Sequence, residues 1–315
     1  MPRQGIGELL HTTIELMRAK GMRYTFRRIM EYFALKSRFD YAILHKYRAN
    51  IIKEIQGSQM CLNLGDTGVH RNLFLRGYHE KESTEIFKGE LSKGMRVLDI
   101  GANIGYYPLI EAKIVGHEGK VYAIEPDPEN FAALVFNIRL NGYEGYVEPY
   151  QLAMGNKQGK ILLERDPWHC NWHRITREET QYCIEVRATT VDAFCKDKEI
   201  DLVRMDVEGF EYYIVKGMRR TLETNRPLKI FIEIHPAAIE NYYGENTQEV
   251  LQTLARHAFR LRYMAGTNQK AGRWWETVSP KIGKRVDIPL GELLEDSKLR
   301  SVLLKSGAYR VFLVR

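Results

Sequence analysis

The stretch VLDIGANIGYY, residues 97–107, constrains the fold more than any other part of the 315-residue chain. Its apolar start predicts a strand that ends near Asp99, and Gly101-Ala-Asn-Ile-Gly105 predicts a glycine loop that leads into a helix. Glycine at positions 101 and 105 lets the backbone turn tightly and approach a ligand closely. The spacing fits neither the GxGxxG pattern of dinucleotide-binding loops nor the GxxxxGK[ST] pattern of phosphate-binding loops.

From residue 93 onward, predicted strands alternate with predicted helices. The predicted strands are RVLDI (96–100), KVYAIE (120–125), VEPYQLAM (147–154), DLVRM (201–205), KIFIEI (229–234), RLRYMA (260–265) and YRVFLVR (309–315). Residues 156–190 interrupt the alternation, and there GKILLERD and CIEVRATT predict an extra hairpin around a loop. This pattern is typical of an α/β protein with a doubly wound, mostly parallel sheet.

Two acids accompany the glycine loop. Asp99 precedes it, and Glu125 ends the next predicted strand, where an acid binds ribose hydroxyls in such folds. A glycine loop with these acids and without a pyrophosphate pattern suits an adenosine ligand such as S-adenosylmethionine. The cationic amino and sulfonium groups of that ligand give Asp99 a reason to be there. Alternatively, Asp99 is a turn residue that accepts hydrogen bonds from loop amides.

Six motifs follow one another along the chain: DIGANIGYY, IEPDPENFAAL, NIRLNG, TTVDAF, DLVRMDVEGFE and IEIHP. In the order and spacing of these motifs, the chain resembles the FkbM family of S-adenosylmethionine-dependent methyltransferases over about residues 60–266. The resemblance implies a Rossmann-like class I methyltransferase fold with an antiparallel last strand. It also implies O-methylation of a hydroxyl on a sugar, glycan or glycolipid-type acceptor. We place Asn103 and Ala153 in the cofactor site together with Asp99, Gly101, Gly105 and Glu125.

The stretch MDVEGFEYY follows the fourth predicted strand and places Asp206 and Glu208 at its carboxyl end. Glu233 and His235 lie at the corresponding end of the fifth strand. Because ligands bind beyond the carboxyl ends of parallel strands, we expect these four side chains to surround the reaction centre. A carboxylate or an imidazole could accept the proton that the acceptor hydroxyl loses. A divalent metal bound by Asp206, Glu233 and His235 could instead lower the pKa of that hydroxyl.

Structural roles are open for the same residues. Glu211 is expected in the first turn of the next helix, where an acid complements the helix dipole, and Glu208 could share that role. Asp206 could orient the cofactor rather than the acceptor. His235 precedes Pro236 and could cap a loop.

The stretch DPWHCNWHR, residues 166–174, lies inside the insertion. We expect its aromatic and imidazole side chains to form a wall of the acceptor site: Trp168, His169, Trp172 and His173. Indole faces stack on the C–H faces of sugars and equally on nucleobases. A structural zinc at the same place would lack a fourth ligand at a suitable spacing. A second glycine- and tryptophan-bearing loop, AGTNQKAGRWWETV, lies within residues 265–308 and could form a lid.

Positive charge is concentrated near the two ends of the sequence. Residues 1–60 hold eleven Lys and Arg against five Asp and Glu, and residues 266–315 hold ten against five. Such flanks favour a polyanionic partner, which could be an anionic membrane surface or a phospholipid-linked acceptor. As an alternative function, an RNA methyltransferase could dock on RNA through these flanks. A basic surface that is simply well solvated is also consistent with this charge.

We predict two regions: a basic helical extension at residues 1–58 and a methyltransferase domain at residues 59–315. The extension could lie on a membrane, cap the catalytic domain or contribute to a homodimer. The sequence has no apolar run typical of a signal peptide or a spanning helix, and its four cysteines form no CxxC pair. We therefore expect a cytoplasmic protein, peripheral at the inner membrane face if the extension binds lipid.

Overall fold

The computed structural model of the chain describes residues 50–66, 68–166, 173–225, 227–266, 287–295 and 308–315. Most of the predicted basic extension and most of the predicted lid lie outside the described residues. None of the helices within the described ranges combines the length and apolar character needed to cross a membrane.

The described helices are α1 (Val69–Arg76), α2 (Lys81–Glu90), α3 (Tyr106–Val115), α4 (Pro128–Leu140), α5 (Val191–Phe194), α6 (Glu211–Lys216), α7 (Arg219–Thr224), α8 (Thr247–Arg256) and α9 (Leu290–Glu295), with a π-helical turn at Ala238–Tyr242. The described strands are β1 (Asn50–Ile55), β2 (Ser58–Asn63), β3 (Arg96–Ile100), β4 (Lys120–Ile124), β5 (Val147–Tyr150), β6 (Ala153–Gly155), β7 (Gly159–Glu164), β8 (Arg174–Thr176), β9 (Cys183–Thr190), β10 (Leu202–Met205), β11 (Lys229–Ile234), β12 (Arg260–Gly266), β13 (Ile288–Pro289) and β14 (Tyr309–Val314).

The central sheet of the described part has eight strands in the order β13-β12-β14-β11-β10-β3-β4-β5. The five adjacent strands β11, β10, β3, β4 and β5 run parallel to one another. Strand β14 runs antiparallel to both of its neighbours, β11 and β12. The predicted mostly parallel sheet with an antiparallel last strand is therefore confirmed. The order places β10 between β3 and β11, so the carboxyl ends of these three strands meet at one edge of the sheet.

Both faces of the central sheet are buried. Leu98 and Ile100 of β3 pack in one apolar cluster with Met205, while Val97 packs in a second cluster with Phe231. Alternate residues of a strand point to opposite faces, so the near-continuous apolar strands reflect burial on both sides. This packing fixes the strand ends from which the site residues project.

The insertion forms a separate four-stranded sheet in the order β6-β9-β7-β8. β7 pairs antiparallel with β9, which confirms the predicted hairpin. The single third strand predicted over residues 147–154 is wrong, because the chain leaves the central sheet after Tyr150 and Ala153–Gly155 pairs with β9. The amide of Leu152 donates to the carbonyl of Tyr150 in a tight turn that redirects the chain.

The predicted helical extension is wrong at its end, residues 50–55. Asn50–Ile55 is a strand that pairs antiparallel with β2. Between the two strands, Gln56 and Gly57 have φ angles of 54° and 79°, as expected for the two central residues of a tight hairpin turn. One face of this hairpin packs in the same apolar cluster as α3. That burial stabilises the extended conformation over the predicted helix.

Candidate active site

A cavity of about 300 Å³ opens at the carboxyl ends of β3, β4, β10 and β11. Its volume is at the lower end of the range of small-molecule sites. Eight predicted site residues line it, four from the cofactor set, three from the catalytic set and one from the substrate wall: Gly101, Asn103, Glu125, Ala153, Asp206, Glu208, Glu233 and His173. The predicted residues Asp99, Gly105 and His235 are not among the lining residues.

The glycine loop after β3 has three residues in left-handed backbone conformations. Gly101 has a φ of 86°, and a Cβ atom there would lie 2.0 Å from the backbone oxygen of Asp206. Asn103 has a φ of 49°, and its side-chain oxygen accepts a hydrogen bond from the Ile104 amide at 2.8 Å. Gly105, with a φ of 98°, immediately precedes α3. Glycine at position 101 therefore allows the ends of β3 and β10 to converge beside the cavity.

Glu125 follows β4 and braces the glycine loop. Its Oε2 accepts a hydrogen bond from the Asn103 amide at 2.8 Å, and its Oε1 accepts one from the Asp127 amide at 2.9 Å. Burial raises the pKa of Glu125 to about 8, although the two amides oppose this. Each carboxylate oxygen has a second acceptor position, so both can also bind ligand hydroxyls.

Arg204 of β10 is a central residue that the sequence analysis missed. It lies opposite Asp99 in the register of β3 and β10. Its Nη1 donates to Asp99 Oδ1 at 2.8 Å, and its Nη2 donates to Asp206 Oδ2 at 3.1 Å. The guanidinium carbon lies 3.9 Å from the ring centroid of Tyr107. Asp99 is fully buried and does not line the cavity. It contacts Arg204, which does line the cavity.

A second buried ion pair joins β11 and β14. Arg310 lies opposite Glu233 in the register of these strands, and its Nη2 donates to the carboxylates of both Glu233 and Glu80. Arg310 and Glu233 are each 5% exposed. Glu80 immediately precedes α2, so this pair ties the entry to α2 to the closing strand.

The four predicted catalytic residues lie together at the ends of β10 and β11. One possible ligand atom from each of Asp206, Glu208 and His235 lies within 4.8 Å of the other two. His235 Nε2 is 3.5 Å from Glu208 Oε2 and 3.6 Å from Glu233 Oε1. The metal ligands predicted from the sequence were Asp206, Glu233 and His235. Among the described residues, Glu208 takes the place of Glu233 in this group, and Glu233 pairs with Arg310.

Glu211 fixes the orientation of His235, a contact that the sequence analysis did not anticipate. Its side chain is fully buried at the start of α6. Its Oε1 accepts a hydrogen bond from the Gly209 amide at 3.1 Å and lies 2.8 Å from His235 Nδ1. Glu211 does not line the cavity, but its contact with Nδ1 leaves His235 Nε2 facing Glu208 and Glu233.

Negative charge is crowded in this cluster. Burial raises the pKa of Glu208 to about 7 and raises the pKa of Glu233 well above its usual value, and Asp206 adds to both shifts. Burial lowers the pKa of His235, but the carboxylates of Glu211, Glu233 and Glu208 outweigh this and raise it to about 10. The cluster can therefore hold a proton or another cation.

His173 is the one member of the predicted substrate wall within the described ranges; Trp168, His169 and Trp172 lie outside the described residues. It lines the cavity next to the insertion. Its Nδ1 accepts a hydrogen bond from the Asp166 amide at 3.0 Å, and its Nε2 lies 3.7 Å from Asp127 Oδ2. Burial lowers the pKa of His173, which favours the neutral imidazole. The insertion thus contributes a polar ring to the wall of the cavity.

The order of the central strands and the antiparallel β14 define a Rossmann-like class I methyltransferase fold. The model of the Methyltransferase FkbM domain matches residues 99–261, about half of the chain, from Asp99 before the glycine loop to β12. The chain therefore belongs to the FkbM methyltransferase family, which confirms the resemblance seen in its motifs.

Two curated proteins and one solved structure illustrate the similarity. The chain is 27% identical over 165 residues to the hexuronic acid methyltransferase AglP of Haloferax volcanii, a match that covers 51% of this chain and 64% of that protein. It is 35% identical over 82 residues to a protein-L-isoaspartate O-methyltransferase of Aeropyrum pernix, covering 26% of this chain and 28% of that protein. The chain thus spans less than two thirds of the length of these relatives. A crystal structure of a methyltransferase FkbM from Methylobacillus flagellatus aligns with 74% of this chain and 57% of that chain, at 17% identity and a TM-score of 0.41.

Proposed function

We propose that this protein is an S-adenosylmethionine-dependent O-methyltransferase that acts on a hydroxyl of a sugar, glycan or glycolipid-type acceptor. The observation that carries the proposal is that Asp206, Glu208 and Glu233 line the same cavity as the glycine loop, with His235 in contact with Glu208 and Glu233. The site thus offers a place for the cofactor and, next to it, groups that accept a proton. Membership of the FkbM family supports methyl transfer.

In this proposal the cofactor lies along the glycine loop between β3 and β4. Its ribose hydroxyls bind Glu125, whose two oxygens retain acceptor positions. Gly101 and Asn103 give close backbone approach, and Ala153 lines the cavity beside them. Asp206, which is partly exposed and paired with Arg204, lies where it can attract a cationic group of the cofactor.

Methyl transfer requires the hydroxyl oxygen to approach the methyl carbon in line with its bond to sulfur. As the carbon–oxygen bond forms, the carbon–sulfur bond breaks and its electron pair stays on sulfur, which becomes a neutral thioether. The hydroxyl proton passes to the group of ionisable side chains at the ends of β10 and β11. Glu208 is the proposed acceptor, because its carboxylate lines the cavity, and His235, whose Nε2 lies 3.5 Å from Glu208 Oε2, would stabilise the charge of that carboxylate.

The proton-accepting groups of the site favour a hydroxyl as the acceptor over a carboxylate. A carboxylate has no proton to lose at neutral pH and needs no base to react. A hydroxyl is neutral and has a proton to lose, so the same groups assist it. The name of AglP, a hexuronic acid methyltransferase, supports a sugar-type acceptor.

Replacing Glu125 with alanine is expected to weaken S-adenosylmethionine binding by about 1–3 kcal/mol, because the hydrogen bonds between the ribose hydroxyls and the Glu125 carboxyl group are lost. Calorimetric titration with the cofactor measures the change. Glu144→Ala removes an exposed carboxylate instead and should leave the affinity unchanged. Equal affinities for Glu125→Ala and the wild type would remove Glu125 from the cofactor site.

The acceptor class can be tested with S-adenosylmethionine that carries a labelled methyl group. The protein is incubated with cell extract that is then separated into lipid, glycan, RNA and protein fractions. We expect label in the glycan or glycolipid fraction, dependent on added protein. Label confined to RNA would support the alternative of an RNA methyltransferase that docks through its basic flanks.

Partners at the flanks remain predictions, since the residues concerned lie largely outside the described ranges. An anionic membrane surface would attract the basic extension and present a lipid-linked acceptor. Co-sedimentation of the full chain with anionic vesicles, against neutral vesicles as control, measures this attraction. A homodimer through the extension is the competing prediction, and a dimeric mass without vesicle binding would favour it.

A further inference from the structure

The convergence of Asp206, Glu208 and His235 has the chemistry of a cation site. One oxygen or nitrogen atom from each residue lies within 4.8 Å of the other two. Ligand atoms on one metal ion are about 3–4 Å apart, because metal–ligand distances are about 2.0–2.2 Å. Small side-chain movements would therefore bring all three atoms onto one ion. Carboxylate oxygens and an imidazole nitrogen together suit ions such as Mn²⁺.

The hydrogen bond from Glu211 to His235 is an independent feature of such a site. Histidine ligands of metals almost always use their second ring nitrogen in a hydrogen bond to a carboxylate, a carbonyl or a water. Here Glu211 Oε1 lies 2.8 Å from Nδ1, so Nε2 is left to face Glu208 and Glu233. Glu211 is held in turn by the Gly209 amide at 3.1 Å. The imidazole therefore has a fixed ring orientation.

The balance of buried charge also calls for a cation. Each nearby arginine is already shared by two carboxylates: Arg204 by Asp99 and Asp206, and Arg310 by Glu80 and Glu233. Two further acids lie nearby, Glu208 and Glu211. In the described part of the chain, both form ion pairs only with His235. The second oxygen of Glu211 is buried without a hydrogen-bond partner there.

We infer that Asp206, Glu208 and His235 bind a divalent cation of the Mg²⁺ or Mn²⁺ type, with Glu211 as a positioning residue. The inference rests on the proposed function in one respect: Asp206 and Glu208 line the cavity, so the open coordination positions would face the acceptor hydroxyl. A cation bound there would polarise that hydroxyl oxygen and orient it. Glu233 is not assigned as a ligand, because the three possible ligand atoms that lie within 4.8 Å of one another come from Asp206, Glu208 and His235.

Titration of the full-length protein with Mn²⁺, followed by the electron paramagnetic resonance signal of the free ion, tests the site without any activity assay. We expect one tight Mn²⁺ per chain, displaced by excess Mg²⁺. Glu208→Gln and Asp206→Asn should each weaken binding at least tenfold. Glu211→Gln should weaken it by about 10–100-fold, although this side chain does not touch the ion. Glu118→Gln, which removes an exposed carboxylate paired with Lys93, is the matched control.

The absence of stoichiometric Mn²⁺ binding by the wild type would overturn the inference. Binding that is equal in the wild type, Glu208→Gln and Asp206→Asn would also overturn it, because exposed acids would then hold the ion. Thermal melting of each variant identifies any that fails to fold, and Asp206, at 23% side-chain exposure, provides the second variant. Cofactor affinity measured on the same metal-free sample reports separately on the proposed function.

Discussion

Glu208→Gln is expected to lower the rate of methyl transfer by about two to four orders of magnitude, the usual effect of losing a positioned acid or base. Glutamine keeps the shape of the side chain but removes the charge that faces His235 Nε2 at 3.5 Å. It can neither accept the hydroxyl proton nor contribute a carboxylate to a cation site. Single-turnover transfer of labelled methyl to the glycan fraction, at saturating cofactor, measures the loss.

The same substitution should have little effect on stability, because the Glu208 side chain is 37% exposed. Glu240→Gln is the matched control, since Glu240 is an exposed acid on the neighbouring π-helical turn. A Glu208→Gln protein that retains wild-type turnover would exclude a catalytic role for this carboxylate. Loss of cofactor affinity in place of turnover would assign Glu208 to the cofactor site instead.

Gly101→Ala is expected to produce the largest loss of stability among single substitutions near the cavity. A left-handed φ costs an L-residue about 1–2 kcal/mol, and overpacking typically adds about 1–3 kcal/mol. The φ of Gly101 is 86°, and the new Cβ would lie 2.0 Å from the backbone oxygen of Asp206. Backbone cannot rotate away as a flexible side chain can, so β3 and β10 would separate at the cavity. Urea unfolding measures the change in the free energy of unfolding.

Gly94→Ala is the control for the conformational part of that cost. Gly94 has a similar φ of 81°, but a Cβ there would meet no atom within 4 Å. We therefore expect a loss of about 1–2 kcal/mol for Gly94→Ala, from the left-handed backbone alone. Equal losses for the two variants would show that β3 and β10 do not approach each other at Gly101 as closely as described.

The glycine loop and the strand alternation were enough to predict the central sheet. Both signals are local: the apolar strands need burial on two faces, and Gly101 needs a left-handed backbone conformation that few other residues adopt. The strand ends then brought Asp206, Glu208, Glu233 and His235 together, because parallel strands share one carboxyl edge.

The ion pairs of the site could not be predicted in the same way. Arg204 and Asp99 are 105 residues apart, and Arg310 and Glu233 are 77 apart. Each pair depends on the register of two strands, which local patterns do not fix. A usable signal was present in both cases, since a charged residue within an otherwise apolar strand needs a partner to be buried.

The contact between Glu211 and His235 shows a second limit. Glu211 looked like an acid in the first turn of a helix, and that is where it lies. Its full burial and its partner depend on how α6 packs against the end of β11, which spacing along the chain does not reveal. The hairpin at residues 50–63 shows the reverse error. There Gln56-Gly57 is a local turn signal inside the predicted helical extension.

The chemical form of the transferred methyl group tests the proposed activity most directly. Labelled product from wild-type protein is treated with mild alkali, which cleaves a methyl ester but not a methyl ether. We expect alkali-stable label on a sugar of the glycan fraction, formed only when active protein is added. Alkali-labile label would show transfer to a carboxylate, and label in RNA alone, or in no fraction of an extract that contains glycans, would contradict transfer to a sugar hydroxyl.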